Sequence, residues 1–384
     1  MLTGLEVSLR DGLPELDGKR AGLITNHTGV DRQLRDTIDL LHRSDRWNLT
    51  ALFGPEHGVR GEAQAGDHVG GYVDQRTGLP VHSLYGETRS PTTAMLGGLD
   101  ALVFDIQDPG IRFTTYLSTM INAQEAAAAA SLAFVVLDRP NPLTGDRVEG
   151  GLLEPAFQSF VGGHPLPVRH GLTLGELARL VAAERGWPDP VVVPMAGWRR
   201  SWWFDETDLP WVLPSPNLPT LDALTLYPGT CLLEGTNLSE GRGTTRPFEI
   251  IGAPWLDPFA LAAELEQREL PGVGFRPTWF TPMFSKHAGT RCGGVQIHLR
   301  DRDALRPVTL GLHVLEVTRR LAPDAFAWAR GTTGRHFIDL LLGGAGPRGG
   351  LEAGEGVAQV TTDWRRDEQA FEQRRRPYLL YAEG

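Results

Sequence analysis

Five short stretches of the chain are nearly continuous in apolar residues and are bounded by polar or turn-forming residues. They are residues 21–26 (AGLITN), 49–54 (LTALFG), 101–105 (ALVFD), 132–138 (LAFVVLD) and 190–194 (PVVVP). Such runs are typical of strands that are covered by helices on both faces. Between them, residues 34–43, 114–130 and 172–185 have apolar positions at helical spacing. The alternation predicts an α/β fold with a Rossmann-like, doubly wound, mostly parallel sheet.

The pattern changes in the middle of the chain. Residues 197–245 are rich in tryptophan, proline and polar loop residues. A second α/β pattern follows, with helices expected at residues 258–268, 310–321 and 334–342 and strands at residues 273–280 and 293–299. With 384 residues the chain is long enough for two domains. We therefore expect a Rossmann-like domain over residues 1–250 and a smaller C-terminal α/β domain over residues 251–384.

Several function classes lack their sequence signals. Residues 25–29 read TNHTG, so no G-x-G-x-x-G follows the first strand, and no phosphate-binding P-loop is present. No cofactor is therefore predicted. The formal net charge is −10 and no stripe of Lys or Arg offsets it, which disfavours nucleic-acid binding.

Targeting signals and cysteines give little further information about the function of the protein. No apolar run of about 18 residues exists, so no membrane span is expected. The first residues carry no secretory pattern, so the sequence as written predicts a cytoplasmic protein, and export would require a leader ahead of Met1. Cys231 and Cys292 are the two cysteines, and both are predicted to be buried. The oligomeric state has no signal in the sequence.

A candidate catalytic turn follows the second apolar run. Residues 54–58 read GPEHG, in which the glycines and the proline restrict the backbone around Glu56 and His57. Side chains at the carboxyl end of a parallel strand face the ligand crevice. A carboxyl group that is partly enclosed there could act as a general acid. The alternatives are that Glu56 caps a helix or pairs with Arg60.

Two further strand ends carry polar groups. Residues 105–116 (DIQDPGIRFTTY) place Asp108, Arg112, two hydroxyls and Tyr116 in one short span, which suits a sugar or a carboxylate. Arg112 could bind a carboxylate with two hydrogen bonds or pair with Asp108. The next strand end holds Asp138 and Asn141, and Asp138 could instead be a structural cap.

The middle segment contains a polar, glycine-rich loop. Residues 234–246 (EGTNLSEGRGTTR) combine Glu234, Asn237, Glu240 and Arg242 with several hydroxyls. Glycines allow a ligand to approach the backbone closely, so a ligand role competes with that of a polar surface turn. Upstream, four tryptophans at positions 198, 202, 203 and 211 could stack on sugar rings or pack in the core.

Metal and serine-nucleophile sites have weak support. His27, His57, His68 and His82 lie in the same half of the chain as several acids, but none shows the H-x-x-x-H or H-x-x-E-H spacing. No metal site is therefore predicted. No G-x-S-x-G elbow is present either.

The succession of motifs resembles one bacterial family. GPEHGVRGE, FDIQDPGIRFTTY, DRPNPLTGDRVEG, PSPNLPT, LYPGTCLLEGTNLSEGRGTTRPFEIIGAPW and FTPMFSKHAGTRCGGVQ occur in one order over nearly the whole chain. They are similar to those of the domain of unknown function 1343 family, which includes NamZ-like exo-β-N-acetylmuramidases. The resemblance implies a glycosidase that releases terminal β-linked N-acetylmuramic acid from non-reducing ends of peptidoglycan fragments. It also implies that the C-terminal domain completes the cleft.

The resemblance assigns candidate roles to residues of this chain. Glu56 is the expected general acid/base, with Glu62, Glu234 and Glu240 as candidates for the second catalytic carboxylate. The expected substrate-binding residues are His57, Arg60, Asp108, Arg112, Tyr116, Asn141, Asn237, Arg242 and Lys286. Retaining, inverting and substrate-assisted routes all stay open, and in the last of these Asp108 would orient the acetamido group.

N-acetylmuramic acid carries a lactyl carboxylate, so a specific site needs a cation. Arg112, Arg242 and Lys286 are the candidates for that cation. Two rival functions are a non-catalytic cell-wall glycan-binding protein and a metal-dependent hydrolase on the same scaffold.

Overall fold

The structure, a computed structural model, describes residues 1–63, 66, 70–331 and 334–382. Contacts within the chain divide it into two compact units. Unit 1 is Met1–Arg147, His170–Pro216 and Gln373–Gly384, and unit 2 is Val148–Arg169 and Asn217–Glu372. The boundary expected near residue 250 stays a prediction, while the change of unit in the middle of the chain falls at Asn217.

Unit 1 is built on a mostly parallel sheet. Its described strands are β1 (Arg20–Thr25), β2 (Asn48–Gly54), β3 (Tyr72–Val73), β4 (Pro80–Ser83), β5 (Ala101–Asp105), β6 (Ala133–Leu137) and β7 (Val191–Val193). Their spatial order is β3-β4-β2-β1-β5-β6-β7. Neighbours from β4 to β7 pair in parallel, and β3 runs antiparallel to β4. The predicted α/β fold is confirmed.

The strand order places a switch point beside β1. The chain runs from β1 to β2 and β4 on one side, and then returns to β5, β6 and β7 on the other side. In open α/β sheets, ligands bind at the carboxyl ends of the strands where the order reverses. The loops that follow β1, β2 and β5 are therefore the expected walls of a site.

Helices connect these strands. In unit 1 the structure describes α1 (Gly4–Asp11), α2 (Thr37–His42), α3 (Thr93–Leu96), α4 (Thr115–Ala129) and α5 (Leu174–Arg185). The three helical patterns of the first half contain α2, α4 and α5. Helix α1 was not predicted, although Thr3 and Glu6 form a capping box that is visible in the sequence as T-x-x-E.

Unit 2 contains a smaller, antiparallel sheet. Its described elements are α6 (Leu221–Thr230), β8 (Ile250–Ala253), α7 (Pro258–Glu266), β9 (Val273–Phe280), β10 (Cys292–Leu299), α8 (Pro307–Leu321), α9 (Phe337–Leu342), α10 (Gly346–Glu352), α11 (Val357–Val360) and α12 (Trp364–Arg375). The division between the two units falls within α12. The strands lie in the order β8-β10-β9. The prediction missed α6 because Pro228 lies inside it, and an internal proline removes a backbone hydrogen bond.

The C-terminal segment completes unit 1. The Tyr381 hydroxyl donates to Asp138 Oδ2 at 2.5 Å, and Asp138 also accepts hydrogen bonds from Thr173 Oγ1 at 2.7 Å and Gly175 N at 2.8 Å. Burial raises the pKa of Asp138 to about 7, while these hydrogen bonds lower it. Asp138 therefore caps the start of α5, which is the structural role that the sequence left open.

Two smaller expectations also have outcomes. Cys231 and Cys292 are both buried free thiols, as predicted. Within the described part of the chain, no helix is long and apolar enough to cross a membrane.

A buried ion pair joins the carboxyl ends of β5 and β6. Arg139 donates to Asp105 through Nε at 2.6 Å and Nη2 at 2.9 Å, and the side chains are 5% and 0% exposed. Asp105 also accepts from the Thr37 hydroxyl at 2.6 Å, and Arg139 Nη1 donates to the Val30 carbonyl at 2.9 Å. The pair therefore joins α2, the loop after β1 and two strands.

We predict that Asp105→Asn destabilises the protein by about 3–5 kcal/mol, because it leaves a buried guanidinium without its counter-charge. The measurement is the free energy of unfolding in urea. Asp100→Asn is the control, since Asp100 pairs with Arg20 at the surface, where solvent screens the pair, and its loss is expected to cost much less. Equal, small losses for both variants would contradict the assigned role of the buried pair.

Candidate active site

The turn after β2 has a constrained backbone. His57 adopts φ 74° and Gly58 adopts φ 77°, so two consecutive residues lie in the left-handed region. A residue other than glycine rarely adopts this conformation. The buried His57 ring places Nδ1 2.9 Å from the Ala63 carbonyl oxygen, and its ring centroid lies 6.2 Å from that of His27. His57 therefore anchors the turn that presents Glu56.

Hydrogen-bond donors from three separate segments meet the Glu56 carboxylate. The Thr115 hydroxyl donates to Oε2 at 2.7 Å, and the Gly66 backbone N–H donates to Oε1 at 3.0 Å. The Tyr85 hydroxyl also hydrogen-bonds this carboxylate. Burial, reinforced by the negative charge of Glu56, raises the pKa of Tyr85 to about 12, so Tyr85 stays a neutral donor. The half-buried Glu56 is therefore fixed by its surroundings while part of it stays accessible.

Tyr116 lies next to Thr115 in α4 and is buried. Its hydroxyl donates to the Pro214 carbonyl at 2.5 Å. Burial raises the pKa of Tyr116 well above its ordinary value, and the nearby charges of Glu56 and Asp108 raise it further. Tyr116 therefore belongs to the surroundings of Glu56 as a neutral group that anchors the start of α4.

Asp108 stabilises its own loop. Oδ1 accepts from Gly110 N at 2.7 Å, and Oδ2 accepts from the Thr114 hydroxyl at 2.9 Å. Burial raises the pKa of Asp108 to about 6, although its hydrogen bonds act in the opposite direction. Asn141 supports the same region, because its amide donates to the Leu172 carbonyl at 3.0 Å and its side chain fills the space beside Gly110.

Arg112 is fully buried. Its side chain has no solvent-accessible surface, and burial lowers the pKa of its guanidinium to about 9. It lies close enough to His170 to lower the pKa of that buried imidazole, which falls to about 3 mainly through burial itself. A substrate carboxylate would therefore need a rearrangement of the protein to reach Arg112.

Arg60 and Glu62 follow the turn that holds Glu56. Arg60 contacts three carboxylates, with Nη1 2.8 Å from Asp36 and Nη2 3.2 Å from Asp39 and 3.0 Å from Asp74. Its positive charge is thus compensated within the protein. Glu62 is exposed and accepts from the Tyr72 hydroxyl at 2.7 Å and from Arg60 N at 3.1 Å.

Unit 2 contains a compact cluster of four charged residues. Arg242 Nη2 donates to Glu234 at 2.8 Å, and Arg242 Nε lies 3.4 Å from Glu240. Lys286 Nζ donates to Glu240 at 3.0 Å and to the carbonyls of Leu233 and Leu238 at 2.8 and 2.9 Å. The side chain of Glu240 is 2% exposed, whereas that of Glu234 is 24% exposed. We name these four residues the charge cluster.

Asn237 lies in the same loop as Glu234, Glu240 and Arg242, and its side chain has a structural role. Its amide nitrogen donates to the Ala325 carbonyl at 2.8 Å, and its amide oxygen accepts from Ala327 N at 2.9 Å. Both ends of the side chain are thus occupied by backbone groups. Asn237 connects the glycine-rich loop to residues 325–327.

The four tryptophans at positions 198, 202, 203 and 211 lie mainly in the interior of the protein. Trp198 and Trp203 are buried, and Trp202 and Trp211 are half-buried. Trp198 contacts Tyr381 edge-on at 5.0 Å between ring centroids, and Trp211 contacts Phe204 in the same way at 5.0 Å. At least two of the four tryptophans therefore pack in the core.

The predicted residues fall into two groups. Glu56, Glu62, His57, Arg60, Asp108, Arg112, Tyr116 and Asn141 belong to unit 1, and Glu234, Glu240, Asn237, Arg242 and Lys286 belong to unit 2. The prediction did not single out Thr115 and Tyr85, which contact Glu56 directly. Thr115 was visible as one of two hydroxyls in FTTY, whereas nothing in the sequence connects Tyr85 to Glu56.

Metal ligation has no built site in the described residues. No group of three or more His, Cys, Asp or Glu side chains that could hold a metal ion occurs among them. His68, which the sequence analysis considered, lies outside the residues that the structure describes.

Comparison with known families covers nearly the whole chain. The model of the exo-β-N-acetylmuramidase NamZ N-terminal domain matches residues 21–222, and that of the C-terminal domain matches residues 225–381. The chain belongs to the NamZ family. It is 49% identical over 380 residues to the peptidoglycan β-N-acetylmuramidase NamZ of Bacillus subtilis (strain 168), covering 99% of this chain and 91% of that protein.

Solved structures agree with the NamZ family fold. A DUF1343 family protein of Bacteroides fragilis NCTC 9343, BF0371, has a TM-score of 0.91 and 39% identity, with 99% of each chain covered. A second protein from the same strain, BF0379, has a TM-score of 0.80 and 32% identity, covering 100% of this chain and 99% of its own. The family resemblance inferred from the motifs is confirmed.

The charge cluster leads to a stability prediction. Glu240→Gln removes the buried charge that contacts both Lys286 and Arg242, and we expect a loss of about 1–3 kcal/mol in the free energy of unfolding. Glu234→Gln is the comparison variant, because its side chain is 24% exposed and contacts one cation of the charge cluster, so a smaller loss is expected. The measurement is urea denaturation of both variants. A larger loss for Glu234→Gln would reverse the assignment.

Proposed function

We propose that this protein is an exo-acting glycoside hydrolase that releases terminal β-linked N-acetylmuramic acid from the non-reducing ends of peptidoglycan fragments, with Glu56 as general acid/base. The observation that carries the proposal is the full-length similarity, at 49% identity, to a peptidoglycan β-N-acetylmuramidase. The position of Glu56 after β2, beside the switch point of the sheet, supports its part in the reaction.

The surroundings of Glu56 fit this chemistry. Hydrolysis breaks the bond between the anomeric carbon and the glycosidic oxygen, the leaving oxygen takes a proton from an acid, and a water oxygen ends on the anomeric carbon. Glu56 is half-buried and has a fixed orientation, so it can deliver a proton to one position. Each carboxylate oxygen has two lone pairs, so the contacts with Thr115 and Gly66 leave sites for a substrate.

Three acids are candidates for the partner of Glu56. Glu62 is exposed in unit 1, Glu234 is half-exposed in unit 2, and Glu240 is buried between two cations. A catalytic carboxylate must reach the substrate, so exposure favours Glu62 and Glu234 over Glu240. The contacts of Glu240 with Arg242 and Lys286 give it a structural role first.

We predict that Glu56→Gln lowers the release of a chromogenic aglycone from a β-N-acetylmuraminide by about 10²- to 10⁴-fold, which is the usual contribution of a general acid/base. The variant should keep the thermal unfolding temperature of the wild type. Glu125→Gln is the matched control, because Glu125 is exposed on α4, and it should retain full activity.

The same assay separates the rival functions. A wild type that binds the glycan without releasing the aglycone would support a non-catalytic cell-wall binding protein. A metal-dependent hydrolase would lose its activity in a chelator, whereas the proposed glycosidase should keep it. Activity of Glu56→Gln equal to that of the wild type would contradict the role of Glu56.

Arg242 and Lys286 are the more accessible candidates for the cation that binds the lactyl carboxylate. Arg112 is fully buried, whereas the side chains of Arg242 and Lys286 are 19% and 27% exposed. Both side chains also contact carboxylates of the charge cluster. A substrate carboxylate would therefore be an additional anionic partner of a cation that already has one. We propose that Arg242 or Lys286 provides the contact.

We predict that Arg242→Ala or Lys286→Ala lowers kcat/KM for a muraminide by about 10- to 100-fold more than for the matching β-N-acetylglucosaminide, because a hydrogen bond to a charged group contributes about 1.5–3 kcal/mol. Steady-state kinetics with both substrates measures the ratio. Arg276→Ala, at an exposed arginine on β9, is the control. Equal losses for both substrates would remove the tested residue from this role.

A further inference from the structure

We propose that Thr115 is a positioning residue for the glycosidase reaction and that its hydroxyl fixes the carboxyl group of Glu56 throughout the catalytic cycle. This inference rests on the proposed function, since it concerns the same reaction. Thr115 Oγ1 lies 2.7 Å from Glu56 Oε2, whereas the Gly66 nitrogen lies 3.0 Å from Glu56 Oε1.

Thr115 is itself rigidly placed. It is the first residue of α4, a helix of 15 residues. The Thr119 hydroxyl donates to the Thr115 carbonyl at 2.9 Å, and the neighbouring Tyr116 is anchored to Pro214 at 2.5 Å. The position of the Thr115 hydroxyl is therefore set by a helix and not by the turn that contains Glu56. The contact connects the turn after β2 with the helix after β5.

The chemistry of a hydroxyl explains why this contact suits a general acid/base. Such a residue alternates between a carboxylic acid and a carboxylate during one turnover. A protonated carboxyl group keeps one carbonyl oxygen, which still accepts a hydrogen bond. Thr115 can therefore donate to Oε2 both in the carboxylate and in the carboxylic acid that carries its proton on Oε1, and that proton stays available to the substrate. The orientation of Glu56 is then the same before and after proton transfer.

A fixed orientation of the Glu56 carboxyl group affects the rate of the chemical step. A catalytic group displaced by about 1 Å can lose about 100-fold in rate, even where the substrate still binds. Loss of the Thr115 hydroxyl leaves Glu56 with its contacts to Gly66 and Tyr85, and it should free the rotation of the carboxyl group. The expected effect is therefore a loss in kcat with little change in KM.

The test compares Thr115→Val, which keeps the shape of the side chain, with Thr115→Ser, which keeps the hydroxyl. We expect Thr115→Val to lower kcat for a chromogenic β-N-acetylmuraminide by about 10- to 100-fold with KM within about twofold. Thr115→Ser should recover most of that loss. Thr93→Val, at the exposed first residue of α3, is the matched control and should keep wild-type kinetics.

Each result has one meaning. An inactive wild type would overturn the proposed function and this inference together, whereas an active wild type with an equally active Thr115→Val would overturn only the role of Thr115. An equal loss in Thr93→Val, or no recovery in Thr115→Ser, would also overturn it. Thermal unfolding checks that every variant is folded, and Thr115→Ala replaces Thr115→Val if the valine is not accommodated.

Discussion

The buried pair of Asp105 and Arg139 is the interaction on which unit 1 depends most. A parallel sheet brings backbone and side-chain polar groups together at its carboxyl edge, where the strands end and water is largely excluded. The bidentate contact satisfies two ionised groups with each other, and Thr37 and Val30 satisfy the remaining positions. The pair also fixes the spacing between the loops after β1, β5 and β6. The pair therefore stabilises the carboxyl ends of the strands next to the turn that holds Glu56.

The sheet could be predicted from the sequence, because both faces of its main strands are covered. β1, β2, β5, β6 and β7 each appear as a nearly continuous apolar run. β3 and β4 carry no such signal, and the four apolar residues of β8 were not recognised as a strand. The position of Glu56 was equally predictable, since a GPEHG turn follows a buried strand. What the sequence could not provide was the set of donors around the carboxylate, because Thr115, Tyr85 and Gly66 come from three separate segments.

The cations illustrate the same limit. Arginine and lysine in polar loops are reasonable candidates for a substrate carboxylate, yet each candidate already has a defined environment in the fold. Arg112 is fully buried, and Arg242 and Lys286 share Glu240. These environments depend on long-range packing, which local patterns do not encode. Partial exposure distinguishes Arg242 and Lys286 from Arg112.

The return of the C-terminal segment to unit 1 has a consequence for how the protein is made. Tyr381 supplies a hydrogen bond to the buried Asp138, and Arg375 donates to the carbonyls of Gly145, His170 and Gly171. These groups follow unit 2 in the chain, so they leave the ribosome later than unit 2. A nascent chain would therefore hold an incomplete unit 1 while unit 2 emerges, in contrast to the usual order in which the N-terminal domain folds first.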